Sequence, residues 1–226
     1  MTKSIFITGT DTEVGKTFYS KLLLHSLNAQ GLRTAAMKPL ASGAAMHEGK
    51  LRNADALLLQ QAANTSFPYE LCNPYCFEAA IAPHLAAKQV GIRIDPDVIL
   101  QAYKKLQQRA DVTVIEGVGG WLVPVDDKQT VADLIQTLGV PVILVVGMRL
   151  GCINHALLTA DNIKQRGVPL LGWVANMIEP GMSHLDENIT SIAARIDAPL
   201  LDTIEFINNP EADTPNQRLN VDWLEY

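Results

Sequence analysis

The chain has 226 residues, 48 % of them hydrophobic, and 18 Lys and Arg against 24 Asp and Glu give it a formal net charge of −6 and a pI near 5.3. That apolar content suffices for a sizeable core, and no Ser/Pro/Gly-rich linker divides the chain, so a single domain over residues 1–226 is expected. The acidic balance argues against non-specific binding to nucleic acid or a membrane surface, and no apolar run approaches the ~20 residues that span a bilayer.

The first apolar run, residues 4–8, reads as a strand and follows no charged and apolar leader, so a cytoplasmic protein acting on a small soluble ligand is expected. Residues 17–30 read as a helix that stops at Gly31. Between them lies Gly9-Thr10-Asp11-Thr12-Glu13-Val14-Gly15-Lys16-Thr17. A strand, a glycine loop and a helix start in that order aim backbone N–H groups and a helix dipole at phosphate. Lys16 is then placed for the β and γ phosphates of a nucleoside triphosphate, and the Thr17 hydroxyl for Mg²⁺. The usual spacing puts the first glycine at position 10; here that position is Thr and the glycine stands one residue earlier, at Gly9.

Further strands are expected at residues 34–38, 112–116, 142–147 and 170–176, with helices at 54–63, 96–109, 131–138, 154–166 and 183–196. Runs such as VTVIE and VILVVG are apolar at successive positions, which suits strands covered on both faces. The fold class is therefore α/β: a P-loop NTPase-like, doubly wound, mainly parallel sheet with helices on both faces. Residues 207–226 are too polar and irregular to assign to an element.

In such sheets ligands gather beyond the carboxyl ends of the strands. The residues there are 9–17, 38–42, 116–120, 149–154 and Asn176. Glu116 ends a strand before Gly117-Val118-Gly119-Gly120, where a P-loop enzyme places a magnesium-directed carboxylate. Asp55 is either a second such group or an exposed acid in a helix's first turn, where the dipole favours it anyway. Lys38, held by Pro39 in an extended approach, and Ser42 lie on a loop at the same edge. The turn through Gly151 and Cys152, with Asn154 as a candidate N-cap, is either a second anion site or a simple cap. Asn176 offers an amide that can read a base. Cys72, Cys76, Cys152 and the five histidines show no metal-site spacing, and no Ser/His or Cys/His nucleophile pattern is visible.

Together, GTDTEVGKT, KPLASG, RNADALLLQ, PYCFEAAIAPH, VIEGVGGW, PVILVVGMRLGCINHALLTA and GWVAN resemble the dethiobiotin synthase family, from residue 5 to about residue 177. The shifted glycine is that family's form. The family joins CO₂ to 7,8-diaminopelargonate with MgATP, giving dethiobiotin, ADP and phosphate. The resemblance implies catalytic roles for Thr12, Glu13, Lys16 and Lys38. It implies substrate contacts at Ser42, Gly151, Cys152 and Asn154, the last three across a homodimer interface. It implies nucleotide contacts at Glu13, Val14, Gly15, Lys16, Thr17, Asp55, Glu116, Gly117, Val118, Gly119 and Asn176, and Mg²⁺ ligation by Thr17, Asp55 and Glu116. Its small-molecule partners would be ATP, CO₂ or bicarbonate, and the diamine.

One departure is Glu205, which stands where the family carries a proline flanking the adenine. Two other readings stay open. An amidoligase-type relative acting on a larger carboxylate, or a paralogue with the same site, could shift the substrate, because the carboxylate pocket and loop 41–53 set substrate length. A partitioning or switch ATPase shares the fold, but its KGGxGKT loop carries an early lysine, whereas Asp11-Thr12-Glu13 contains none.

Overall fold

Residues 3–208 and 218–224 are described by a computed structural model. In chain order the elements are β1 (Lys3–Gly9), α1 (Lys16–Ala29), β2 (Thr34–Met37), β3 (Leu40–Ala41), β4 (Ala45–His47), β5 (Lys50–Arg52), α2 (Ala54–Ala62), α3 (Tyr69–Cys72) and β6 (Tyr75–Cys76). There follow α4 (Pro83–Gln89), α5 (Pro96–Gln107), β7 (Val112–Glu116), α6 (Val131–Leu138), β8 (Val142–Met148), α7 (Cys152–Gln165), β9 (Leu170–Met177), α8 (Leu185–Ala193) and β10 (Leu200–Ile204).

Six strands form one sheet in the order β10-β9-β8-β1-β7-β2, and each neighbouring pair is parallel. From β1 the chain goes out to β2, returns to β7 between them, and then builds β8, β9 and β10 on the other side of β1. The topological switch point, where such sheets open a crevice, is therefore at the end of β1. The short pairs β3–β6 and β4–β5 lie outside this sheet.

The sheet is buried on both faces because alternate residues of one strand serve different layers. Ile143 and Val145 join the cluster around α1, whereas Leu144 and Val146 join the cluster around α7 and α8. A third cluster packs Phe6, Met37 and Ile115 against Ile99, Ala102 and Leu106 of α5 and Leu134 and Ile135 of α6. The helices are fixed locally as well. Asp95 caps α5 by accepting from the Asp97 N–H, with Pro96 at the first turn. Thr130 and Asp133 form a capping box on α6, which ends at Gly139 with φ 66°.

All five strands expected from the sequence are present, with ends displaced by at most one residue. The edge strand β10 was not expected, because LLDTI mixes exposed, half-buried and buried positions instead of running apolar. The helix expected from residue 154 begins at Cys152, and Gly151 at φ 93° is its N-cap, so Asn154 does not cap it. Residues 219–224 form no regular element, yet Leu219, Val221 and Leu224 are buried in the α1 layer, and the Leu219 N–H donates to Ser26 Oγ at 2.9 Å. Residues 209–217 and 225–226 of the unassigned tail lie outside the described residues. Among the described residues no helix is long and apolar enough to cross a membrane.

Candidate nucleotide and substrate cleft

A cleft of about 930 Å³ opens beyond the carboxyl ends of the strands, lined by residues that follow β1, β2, β7, β9 and β10. Its floor is the loop between β1 and α1. Gly15 has φ 90°, and a Cβ there would lie 2.0 Å from Asn176 Nδ2, so only glycine fits. The Asn176 amide uses that space to donate to the Val14 carbonyl at 2.8 Å. The Val14 side chain turns away from the cleft and packs where Gly9 and Gly147 leave room. Lys16 Nζ donates to the Asp11 carbonyl at 2.8 Å.

Three strand ends converge on Glu116, which is fully buried. Its Oε1 accepts from Thr17 Oγ1 at 2.9 Å and from Lys38 Nζ at 2.5 Å. Lys38 Nζ also lies 3.0 Å from Asp55 Oδ2. The Lys38 backbone is held at both ends, its N–H donating to the Cys72 carbonyl at 2.7 Å and its carbonyl accepting from Asn73 Nδ2 at 2.6 Å. Burial by itself would lower the Lys38 pKa, but Glu116 and Asp55 outweigh it and leave the ammonium above its ordinary value. At Lys16 the same two acids and Asp11 do not outweigh burial. Burial, opposed by Glu116 and reinforced by Lys38, pushes it down to about 8.

Among the described residues Glu116 Oε2 has no hydrogen-bond partner, although it is buried. That orphaned oxygen, the Thr17 hydroxyl and the Asp55 carboxylate are hard oxygen donors of the kind Mg²⁺ takes when phosphates and water complete its shell. No group of three or more His, Cys, Asp or Glu among the described residues could hold a metal by itself. The donor set therefore fits a cation that arrives with a phosphate ligand.

Thr12, Glu13, Gly15, Lys16, Thr17, Lys38, Ser42, Asp55, Glu116, Val118, Gly119 and Asn176 all line the cleft. Among the described residues the buried Ser42 Oγ has no hydrogen-bond partner. Val14 and Gly117 are not in the lining: the Val14 carbonyl accepts from Asn176 Nδ2, and the Gly117 N–H donates to the Ile7 carbonyl at 2.9 Å. Gly151, Cys152 and Asn154 are not in the lining. The Cys152 side chain is buried in the α7–α8 layer, facing Asn188 Oδ1 at 4.0 Å, so its thiol is a packing group in this chain. Cys72 and Cys76 are free thiols.

Sequence reasoning missed Lys21, Asn53 and the wall of Ala80, Ile81, Ala82 and Pro83. Lys21 stands four residues after Thr17 on α1, and that spacing alone puts the two on one helix face. Asn53 caps α2 and donates from Nδ2 to the Ser42 carbonyl at 3.2 Å, so it ties Asp55's helix to the Ser42 loop. Glu205 lines the cleft and is exposed, after the edge strand β10.

A family model described as AAA domain (AAA_26) matches residues 3–214. Among solved structures, the septum site-determining protein MinD of Pyrococcus horikoshii OT3, complexed with Mg-ADP, is similar with a TM-score of 0.54 and 20 % identity, over 90 % of this chain and 81 % of that one. A plasmid partition protein of Borrelia burgdorferi B31 bound to AMPPNP gives 0.55 and 12 %, over 99 % and 95 % of the two chains. The MinC:MinD cell division complex of Aquifex aeolicus gives 0.55 and 15 %, over 92 % and 83 %. At these identities the structures share the fold. The chain belongs to the AAA domain family and is a P-loop ATP-binding domain of it.

Proposed function

We propose that the protein is a dethiobiotin synthase, closing a cyclic urea on 7,8-diaminopelargonate with CO₂ and ATP. The observation that carries this reading is the meeting of Lys38 with Glu116, Asp55 and Thr17 in one cleft with Lys16, Thr12, Glu13 and Ser42. The AAA_26 family includes dethiobiotin synthase, which supports it. A hydrolytic switch needs a water and a triphosphate. This cleft adds a buried second lysine and an orphaned serine hydroxyl, which suit a polar co-substrate.

One amine of the substrate captures CO₂ as a carbamate and releases a proton. A carbamate oxygen then attacks the γ-phosphorus, and the O–P bond to ADP breaks. The second amine attacks the carbonyl carbon of the resulting carbamic–phosphoric anhydride and expels phosphate, closing the ring. No protein nucleophile takes part. The chain's task is to hold the reacting groups and offset their charge. Lys16 and Lys38 would place two ammonium groups where carbamate meets γ-phosphate, with Lys38 oriented by Glu116 and Asp55. Thr17, Asp55 and Glu116 would hold Mg²⁺, which when bound neutralises phosphate charge. Thr12 and Glu13 would face the diamine, and the Asn176 amide would take the base.

In this reading the whole chain is one domain acting as a homodimer, with the start of α7 at Gly151 and Asn154 completing the substrate carboxylate site of a second copy. The 98 % exposure of Leu150 beside that turn supports a covered surface there. The fold likeness to MinD and the partition protein favours a second reading, a nucleotide-dependent switch. The deciding experiment follows ADP release from MgATP and bicarbonate with and without the diamine, and dethiobiotin by mass spectrometry. Diamine-dependent ADP release in step with dethiobiotin supports the synthase. ATP turnover indifferent to the diamine, with no ureido product, overturns it.

A further inference from the structure

Arg149 follows β8 and is absent from the cleft lining, yet its side chain is bonded into the phosphate loop. The guanidinium Nη2 donates to Asp11 Oδ2 at 2.5 Å, while Asp11 Oδ1 accepts from the Thr12 N–H at 2.7 Å. The backbone carbonyl of the same Asp11 accepts from Lys16 Nζ at 2.8 Å. Asp11 therefore takes a cation from outside the loop on its side chain and holds the loop's own lysine on its backbone. The residue before it is fixed to the same strand, the Thr10 N–H donating to the Val145 carbonyl at 3.0 Å.

The loop needs such support. Glu13 sits at φ 60°, a left-handed conformation that disfavours a residue with a side chain and persists only when the surroundings impose it. Arg149 supplies it through one charge-assisted hydrogen bond, from Nη2 to Asp11 Oδ2. Arg149 also joins the loop to the next helix. The Cys152 N–H that opens α7 donates to the Arg149 carbonyl at 3.0 Å, so the β8–α7 turn and the phosphate loop meet in one residue.

We propose that Arg149 is a positioning residue of the nucleotide site, acting through Asp11 to hold the loop and Lys16 in the shape that receives phosphate. The proposal rests on the reading of the loop as a triphosphate site and not on the carboxylation chemistry. A movement of the β8–α7 turn, such as a ligand or a second copy would cause there, then reaches the phosphates through a single side chain.

The test is the dissociation constant for MgADP, measured by calorimetry on the full chain for the wild type, Arg149→Ala, Arg149→Lys, Asp11→Asn and the Arg149→Ala/Asp11→Asn double variant. Asp11→Asn keeps the acceptor for Thr12 and loses the charge that Arg149 reads. Each single removal is expected to weaken binding about tenfold, the double variant no more than either single, and Arg149→Lys to recover most of the loss. Melting without nucleotide should stay near the wild type, and if Arg149→Ala does not fold, Asp11→Asn and Arg149→Lys carry the comparison. Binding within twofold of the wild type, tighter binding, or losses that multiply in the double variant would each overturn the proposal. Because MgADP binding requires neither diamine nor bicarbonate, failure here is separable from failure of the synthase reading.

Discussion

At the phosphate end of the cleft, Lys16, Lys38 and Glu116 are buried and bonded across the ends of β1, β2 and β7, whereas at the β10 end Glu205 stands exposed after an edge strand. The sheet order sets these regions on opposite sides of β1. In the first, Lys38 and Glu116 hold each other across two strand ends, so replacing one changes the state of the other. In the second, water screens Glu205, and its replacement stays local. The contrast teaches where this chain concentrates its electrostatic work, and four substitutions or titrations probe it.

Lys38→Ala should have the largest effect. It leaves Glu116 buried without its ammonium, at a cost of about 3 kcal/mol in stability, and removes a preorganised cation, which under the proposed synthase function means a loss of about a hundredfold in dethiobiotin formation. Urea unfolding and the coupled ADP assay read the two effects, and a rate loss under about tenfold would break the contrast. Next comes Gly15→Ala, which sets a methyl 2.0 Å from Asn176 Nδ2 at φ 90°. The strain of about 1–3 kcal/mol should appear as MgADP affinity weakened ten- to a hundredfold, measured by calorimetry.

The third probe is pH. Lys16, pushed down to about 8, loses its proton in the free protein as pH rises through that value, so affinity for a triphosphate should fall above pH 8 by up to about tenfold per unit. The unfolded chain keeps this proton up to about 10.5, so Lys16 makes the free protein more stable as pH rises between the two values. A dissociation constant for MgATP that is flat from about pH 7 to 9.5 would contradict this.

The smallest effect belongs to the β10 side. Burial, opposed by the hydrogen bond from Tyr19 O–H, pushes the Asp202 carboxyl up to about 6 from 3.8. The folded state thus holds this proton more tightly, and that contribution, full below 3.8, is lost as pH rises through about 6. Asp202→Asn should therefore stabilise the protein by roughly 1 kcal/mol at pH 7.5 and leave it little changed at low pH, as thermal unfolding at two pH values would show.

The phosphate end was legible in the sequence because its residues are local signals: a glycine loop before a helix, and a lysine and a glutamate each closing an apolar run. Asp55 lacked that clarity. A carboxylate in a helix's first turn satisfies the dipole anyway, and its 3.0 Å approach to Lys38 depends on how α2 packs. The β10 side was not legible, since an edge strand half-exposed at Leu201 and Asp202 carries no clean alternation. Nor was the tie from Arg149 to Asp11, which joins residues 138 positions apart. Cys152, prominent in a motif, has its side chain buried in the α7–α8 layer, which the motif alone does not reveal.

The phosphate loop is anchored at three points, Thr10 to Val145, Asp11 to Arg149 and Val14 to Asn176. Its backbone entropy is therefore lost when the chain folds and not when nucleotide arrives. Arrival then need not wait for the loop to order. Discrimination between nucleotides should lie in their residence times, and cutting the Asp11–Arg149 anchor should slow arrival while leaving the base's own contacts in place.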